Sequence, residues 1–115
     1  MIKNQTKGTL LAAEYRLCSS FFSRCKGLMF SIKPRSLVMA FHKEQKVGIH
    51  MMFVFFPIDV LWVDKEQKVV AIQEHLKPFS AATSKELAQY VIELPIGMIA
   101  ASNTEIGDNI TWVKL

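Results

Sequence analysis

Two polar residues inside the most apolar stretch of the chain are the first candidates for chemistry. Residues 48–64 contain His50 and Asp59 among aromatic and branched aliphatic side chains. A polar group in such surroundings must be hydrogen-bonded or paired, because leaving it unpaired costs free energy. Asp59 would suit a general base or a ligand anchor, and His50 would suit a proton-transfer group.

Each of these residues also has a structural interpretation. Asp59 could accept backbone N–H bonds at the Pro57 bend, or it could pair with Arg24 as an internal brace. His50 could be a hydrogen-bonded histidine of the core. The residue types alone leave both interpretations open.

Arg24 and Met29 complete the candidate site. The planar guanidinium of Arg24 matches a carboxylate or a phosphate, so it would suit a small anionic ligand. The flexible thioether of Met29 can line an adaptable pocket, although methionines also fill irregular cores. The predicted ligand pocket comprises Arg24, Met29, His50 and Asp59.

The histidine and cysteine spacings argue against a metal centre and against covalent catalysis. His42, His50 and His75 fall on separate predicted elements and form no His-x-x-x-His pattern. Cys18 and Cys25 are seven residues apart, which matches no Cys-x-x-Cys motif. We therefore expect no metal, no cofactor and two reduced thiols packed as small hydrophobic residues.

Positive charge is concentrated in the first part of the chain, whose overall formal charge is +4. Residues 1–46 carry nine Lys and Arg against two Glu, a balance of +7, whereas residues 47–115 carry five Lys against eight acidic residues, a balance of −3. Such a basic region could bind nucleic acid or another anionic surface. Its cations are scattered singly, without an Arg-rich block or an aromatic-glycine signature, which argues against nucleic acid.

Short strands separated by turn residues dominate the predicted secondary structure. Residues 49–56 and 58–63 favour two core strands that meet at a bend at Pro57, and a five-residue polar link leads to a third strand at 69–75. Further strands are predicted at 9–18, 37–41, 90–94 and 110–115. Helices are predicted at 20–26, at 83–89 after a capping box, and at 95–102.

These elements predict an α+β fold that is mostly antiparallel β. We expect a small curled sheet or partial barrel of about six or seven strands, with two or three short helices. The length suits one domain covering residues 1–115. The apolar stretch is too short and too polar to span a membrane, and no signal peptide is visible, so we expect a soluble cytoplasmic protein.

Eight short motifs follow one another in a fixed order along the chain. They are Arg24-x-x-Gly27-Leu28-Met29, His50-Met51, Phe56-Pro57-Ile58-Asp59-Val60, Val63-Asp64, Val70-x-Ile72, Lys77-Pro78, Tyr90-Val91-Ile92-Glu93-Leu94-Pro95-x-Gly97 and Ile106-Gly107-Asp108. With these motifs the chain resembles the family called domain of unknown function 192, over about residues 20–113. The archaeal-type soluble branch is the most similar.

The resemblance implies a compact, mostly β domain, a small barrel-like sheet with short helices and no established activity. Many members of the family have Phe-Trp-Met where this chain has Ile49-His50-Met51, so a role of that tryptophan does not transfer. Many bacterial members carry an export signal that is not visible here.

These observations favour a non-catalytic binding or accessory domain with a ligand near Arg24, His50 and Asp59. Two alternatives remain open. One is a small enzyme that uses Asp59 and His50 as an acid/base pair. The other is nucleic-acid or anionic-surface binding through the basic residues 1–46.

Overall fold

A five-stranded sheet occupies the centre of the computed structural model, which describes residues 1–20, 28, 29, 31 and 33–113. Across the sheet the strands are β3 (Arg16–Cys18), β4 (Leu37–Gln45), β9 (Ala88–Pro95), β6 (Ile58–Val63) and β7 (Val69–Leu76). Neighbouring strands β3 and β4 run parallel, and the other neighbours in this sheet are antiparallel.

Two smaller sheets and one short helix complete the described elements. A three-stranded antiparallel sheet joins the two ends of the chain, in the order β10 (Ile110–Trp112), β1 (Ile2–Asn4) and β2 (Thr9–Ala12). A two-stranded antiparallel sheet pairs β5 (Gly48–His50) with β8 (Ala81–Thr83). The helix α1 (Met98–Ala101) follows β9 directly.

Apolar clusters cover both faces of the central sheet. Successive residues of a strand point to opposite faces, so one strand supplies side chains to both clusters. Leu37 and Val60 belong to the first cluster, and Leu61 and Val63 belong to the second. Every residue of β6 is buried, and burial of each large apolar side chain stabilises the fold by about 1.5 to 3 kcal/mol. Burial on both faces therefore holds for residues 58–63, whereas the prediction is wrong for residues 49–56, in which His50, Met52, Phe53 and Phe55 are exposed.

The predicted fold class is confirmed at the coarse level, as a β-rich chain with mostly antiparallel pairing. The described residues contain ten strands where six or seven were expected, and their three sheets do not close into a barrel. The expected strand at 9–18 is divided into β2 and β3. The expected strand at 49–56 is wrong beyond His50, because the chain turns at Met51, whose carbonyl accepts the N–H of Val54 at 3.1 Å.

The predicted helices have different outcomes. The helix at 20–26 lies outside the described residues. The helix at 83–89 is wrong: the Ser84 hydroxyl accepts the N–H of Glu86 at 3.1 Å and donates to its carbonyl at 2.9 Å, which closes a local turn before β9. The helix expected at 95–102 is confirmed only at Met98–Ala101, since Pro95 ends β9, so the described residues contain one short helix rather than two or three.

Candidate functional site

Asp59, the second residue of β6, has a fully buried carboxylate that binds backbone groups. Its Oδ1 accepts the N–H of His75 in β7 at 3.0 Å. Its Oδ2 accepts the N–H groups of Gly97 and Ile99, each at 3.1 Å. The carboxylate therefore joins β6 to the end of β7 and to the beginning of α1, and it acts as a structural brace.

The beginning of α1 explains why two of the sequence motifs occur together. The N-cap residue Gly97 has a φ of +91°, a conformation that residues with a side chain rarely adopt. Glycine offers no side chain to cap the helix, and Asp59 supplies the missing acceptor by accepting the N–H of Ile99. The negative charge of Asp59 also complements the positive end of the helix dipole. The Pro57-Ile58-Asp59 and Pro95-x-Gly97 motifs thus form one structural unit.

His50 lies away from Asp59. It ends β5 with an exposed side chain, whose Nδ1 accepts the N–H of Met52 at 3.3 Å. Its neighbours Ile49 and Met51 belong to the first apolar cluster, whereas Asp59 points to the face of the second. Among the described residues no hydrogen bond joins His50 to Asp59. The acid/base pair remains a prediction that this geometry does not favour.

The other predicted pocket residues, Arg24 and Met29, are not tested by the described part of the chain. Met29 is half-buried, and Arg24 and Cys25 lie outside the described residues. The ligand pocket of Arg24, Met29, His50 and Asp59 therefore remains a prediction. Within the described part of the chain, no group of three or more His, Cys, Asp or Glu side chains could hold a metal ion.

Asp108, the acidic residue of the last motif, is also held by hydrogen bonds. The Asn4 amide donates to Asp108 Oδ2 at 2.9 Å and to Thr104 Oγ1 at 3.0 Å. The Glu105 N–H also donates to Oδ2 at 2.9 Å, and Lys7 Nζ lies 3.1 Å from both oxygens. Burial acts to raise the pKa of Asp108, but the bonds from Asn4, Glu105 and Lys7 hold it below its ordinary value. This network fastens the β1–β2 turn to the turn before β10.

Glu93, in the middle of β9, is a buried carboxyl group that the sequence analysis did not single out. It pairs with Leu37 and Val60 across the central sheet, which places it on the face of the first apolar cluster. The residue is 3% exposed. Burial raises its pKa to about 7. A charged residue in an otherwise apolar strand was the feature of the sequence that could have identified Glu93.

Cys18 points to the same face as Glu93. Its thiol is free and buried, and its pKa is raised, chiefly by burial. The positive charge of Arg16 acts in the opposite direction, and Glu93 adds to the rise. A buried thiol that stays protonated at neutral pH is a poor nucleophile, so Cys18 fits the predicted core role.

A basic cleft opens at the end of the central sheet where β3 and β4 begin and β9 ends. Its volume is about 490 Å³, and Pro95 forms part of its wall. The Arg16 N–H donates to the Ser36 carbonyl at 3.0 Å, which ties two of its walls together. Among the described residues, three cationic side chains and one anionic side chain line it, all of them exposed. The polar lining residues are Glu14, Tyr15, Arg16, Lys33, Arg35 and Ser36.

Sequence reasoning detected the charge of this region but not the cleft. Parallel pairing of β3 with β4 brings residues 14–16 beside residues 33–36, although about twenty residues separate them in the sequence. No local pattern reports such a pairing. The excess of cations in residues 1–46 was the available signal.

No helix of the described residues has the length and apolarity needed to cross a membrane.

Comparisons with known proteins place the chain among uncharacterised relatives. It is 37% identical to the UPF0127 protein of Pyrococcus horikoshii over 97% of this chain and 98% of that protein. It is 35% identical to the UPF0127 protein of Thermococcus sibiricus, over 97% of this chain and 74% of that protein.

Two solved structures share the fold. A protein of unknown function from Novosphingobium aromaticivorans has a TM-score of 0.80 and 19% identity, over 85% of this chain and 74% of that one. A putative transcription regulator from Sinorhizobium meliloti has a TM-score of 0.80 and 24% identity, over 84% of this chain and 79% of that one. At these identities the likeness concerns the fold alone.

Residues 2–112 match the family DUF192, described as "Uncharacterized ACR, COG1430". This match covers nearly the whole chain and agrees with the resemblance carried by the ordered motifs. The chain therefore belongs to the DUF192 family.

Proposed function

We propose that this chain is a non-catalytic binding module that holds a small anionic ligand in the basic cleft. The observation that carries the proposal is the convergence of Arg16, Lys33 and Arg35 around one cleft, where Glu14 is the acidic residue among the described lining. The class of function is the one expected from the sequence. The proposed ligand site is the basic cleft and not the predicted pocket of Arg24, Met29, His50 and Asp59.

The side chains of the cleft suit a carboxylate or a phosphate. Arg16 and Arg35 can each offer two parallel N–H donors to such a group. Lys33 adds a compact charge, and the hydroxyl groups of Tyr15 and Ser36 add neutral donors. Because the cations are exposed, each ion pair contributes only about 0 to 1 kcal/mol and weakens with salt. We therefore expect modest, salt-dependent affinity.

Thermal unfolding with and without anions tests this proposal. A ligand that binds only the folded state raises the melting temperature. We expect pyrophosphate or citrate at millimolar concentration to raise it more than chloride at equal ionic strength. Arg16→Gln and Arg35→Gln should each reduce the difference, and the double variant should abolish it. The control Lys65→Gln, which removes an exposed cation from the β6–β7 turn, should preserve it. Equal melting temperatures in all anions would contradict the proposal.

Nucleic-acid binding through residues 1–46 is a second candidate. One of the two fold relatives is called a putative transcription regulator, and the cations of the cleft would also suit a backbone phosphate. Lys7 is less available, since it pairs with Asp108 and Glu105. Binding to a labelled duplex that falls steeply with salt, and that exceeds binding of pyrophosphate, would favour this candidate.

An enzyme that uses Asp59 and His50 is the remaining alternative. We infer against it because three backbone N–H groups occupy the Asp59 carboxylate.

We also infer that residues 1–115 form one domain, since the two apolar clusters share the central sheet. The free thiol of Cys18 supports a reducing compartment such as the cytoplasm.

A further inference from the structure

The basic cleft is larger than a simple anion requires. Its volume of about 490 Å³ lies in the range of about 300 to 1,000 Å³ that is typical of small-molecule and cofactor sites. A single phosphate or carboxylate group would contact only part of the lining. The ligand should therefore have a second part, joined to the anionic group.

The charge of the cleft suits a phosphate monoester. Among the described lining residues, Arg16, Lys33 and Arg35 with Glu14 leave an excess of two positive charges. A phosphate monoester carries a charge of about −1.5 to −2 at neutral pH. The planar forks of the two arginines also match its oxygen atoms in a bidentate manner.

Strand register gives the cleft a charged side and an aromatic side. Arg16 pairs with Leu37, which belongs to the first apolar cluster, so the Arg16 side chain points to that face of the sheet. Tyr15, one residue earlier, packs against the second apolar cluster on the opposite face. Both residues line the cleft, which therefore reaches around the end of the sheet from one face to the other.

Tyr15 is suited to hold a flat ring. Its side chain is half-buried, and its packing against the second apolar cluster restricts its motion. Pro34 and Pro95 add apolar surface to the same lining. Aromatic side chains and guanidinium groups both stack on flat rings, and a side chain that is already fixed loses little freedom when a ring stacks on it.

We propose that the ligand of the basic cleft is a phosphate monoester that carries a flat aromatic ring, such as a nucleoside monophosphate. Arg16, Lys33 and Arg35 bind the phosphate, and the ring stacks against Tyr15. The Ser36 hydroxyl, between these two groups, is available to a sugar hydroxyl. This inference rests on the proposed function and narrows its ligand to one chemical class.

Isothermal titration calorimetry of the full chain with AMP and with ribose 5-phosphate tests the ligand class. The two compounds carry the same phosphate monoester, and only AMP carries the ring. We expect AMP to bind roughly tenfold more tightly, because stacking of a base on an aromatic side chain is favourable. Adenosine, which lacks the phosphate, should bind roughly tenfold more weakly than AMP.

Variants of Tyr15 locate the ring in the cleft. Tyr15→Leu keeps an apolar side chain against the second cluster, and it should lower AMP affinity roughly tenfold without changing the affinity for ribose 5-phosphate. Tyr15→Phe keeps the ring and should retain AMP affinity. Tyr90→Leu is the matched control, since Tyr90 is also half-buried against the second cluster but does not line the cleft. It should leave the affinities for both compounds unchanged.

Three results would overturn the inference. Equal affinities for AMP and ribose 5-phosphate would do so while leaving anion binding in the cleft intact. Tighter binding of AMP that Tyr15→Leu does not alter would place the ring elsewhere. A single-stranded oligonucleotide that binds far more tightly than AMP would assign the cleft to nucleic acid. If neither compound nor pyrophosphate binds, the proposed function fails as well.

Discussion

At the scale of single residues, the buried carboxyl groups fall into two kinds. Asp59 and Asp108 accept hydrogen bonds from backbone and side-chain donors, and those bonds account for their burial. Glu93 lies on the face of the first apolar cluster, and burial raises its pKa to about 7. The first two residues hold the fold together, and we expect the third to make its stability depend on pH.

Replacement of Glu93 by glutamine should remove a pH dependence of stability. The folded pKa of about 7 exceeds the ordinary value of 4.5, so the folded state retains the proton longer than the unfolded state. The corresponding stability is complete below pH 4.5 and is lost as the pH rises through 7. Wild-type unfolding free energy should therefore fall by about 3 kcal/mol between pH 5 and pH 8.

Urea unfolding of Glu93→Gln at the same pH values provides the comparison. Its stability should change little, whereas Glu86→Gln, an exposed control, should follow the wild type. A wild-type stability that stays constant from pH 5 to 8 would show that a cation keeps Glu93 ionised.

At the scale of elements, the alternation of residues in the sequence predicted which face of β6 carries Asp59. It did not predict which groups the Asp59 carboxylate binds. Asp59 does share a buried face with Leu61 and Val63. Its partners come from His75 and the start of α1, and no local pattern reveals donors 16 and 38 residues away. The same limit explains the failure at 51–56, where left-handed turns interrupt a run with strand-like composition.

Replacement of Asp59 by asparagine tests the structural brace. Asparagine keeps one acceptor oxygen but presents an NH₂ group to buried N–H donors, which leaves at least one of them unpaired. We expect the free energy of unfolding to fall by about 2 to 3 kcal/mol. Asp64→Asn is the matched control, since Asp64 also accepts two backbone N–H bonds, each of 2.9 Å, but in an exposed turn. It should cost less than about 1 kcal/mol. Equal losses in urea unfolding would argue against the brace.

At the scale of the whole molecule, folding converts a scattered excess of cations into a localised one. Arg16, Lys33 and Arg35 meet at the basic cleft, while Lys7 is paired with Asp108. The charge asymmetry was evident in the sequence, but its concentration depends on the parallel pairing of β3 with β4.

The most direct test of the anion-binding proposal is a titration of the ¹⁵N-labelled chain with pyrophosphate, followed by amide chemical shifts. The largest changes should fall on residues 14–16 and 33–36, which line the basic cleft. They should disappear in Arg35→Gln. Changes confined to residues 48–64, or no changes at all, would contradict anion binding in the cleft.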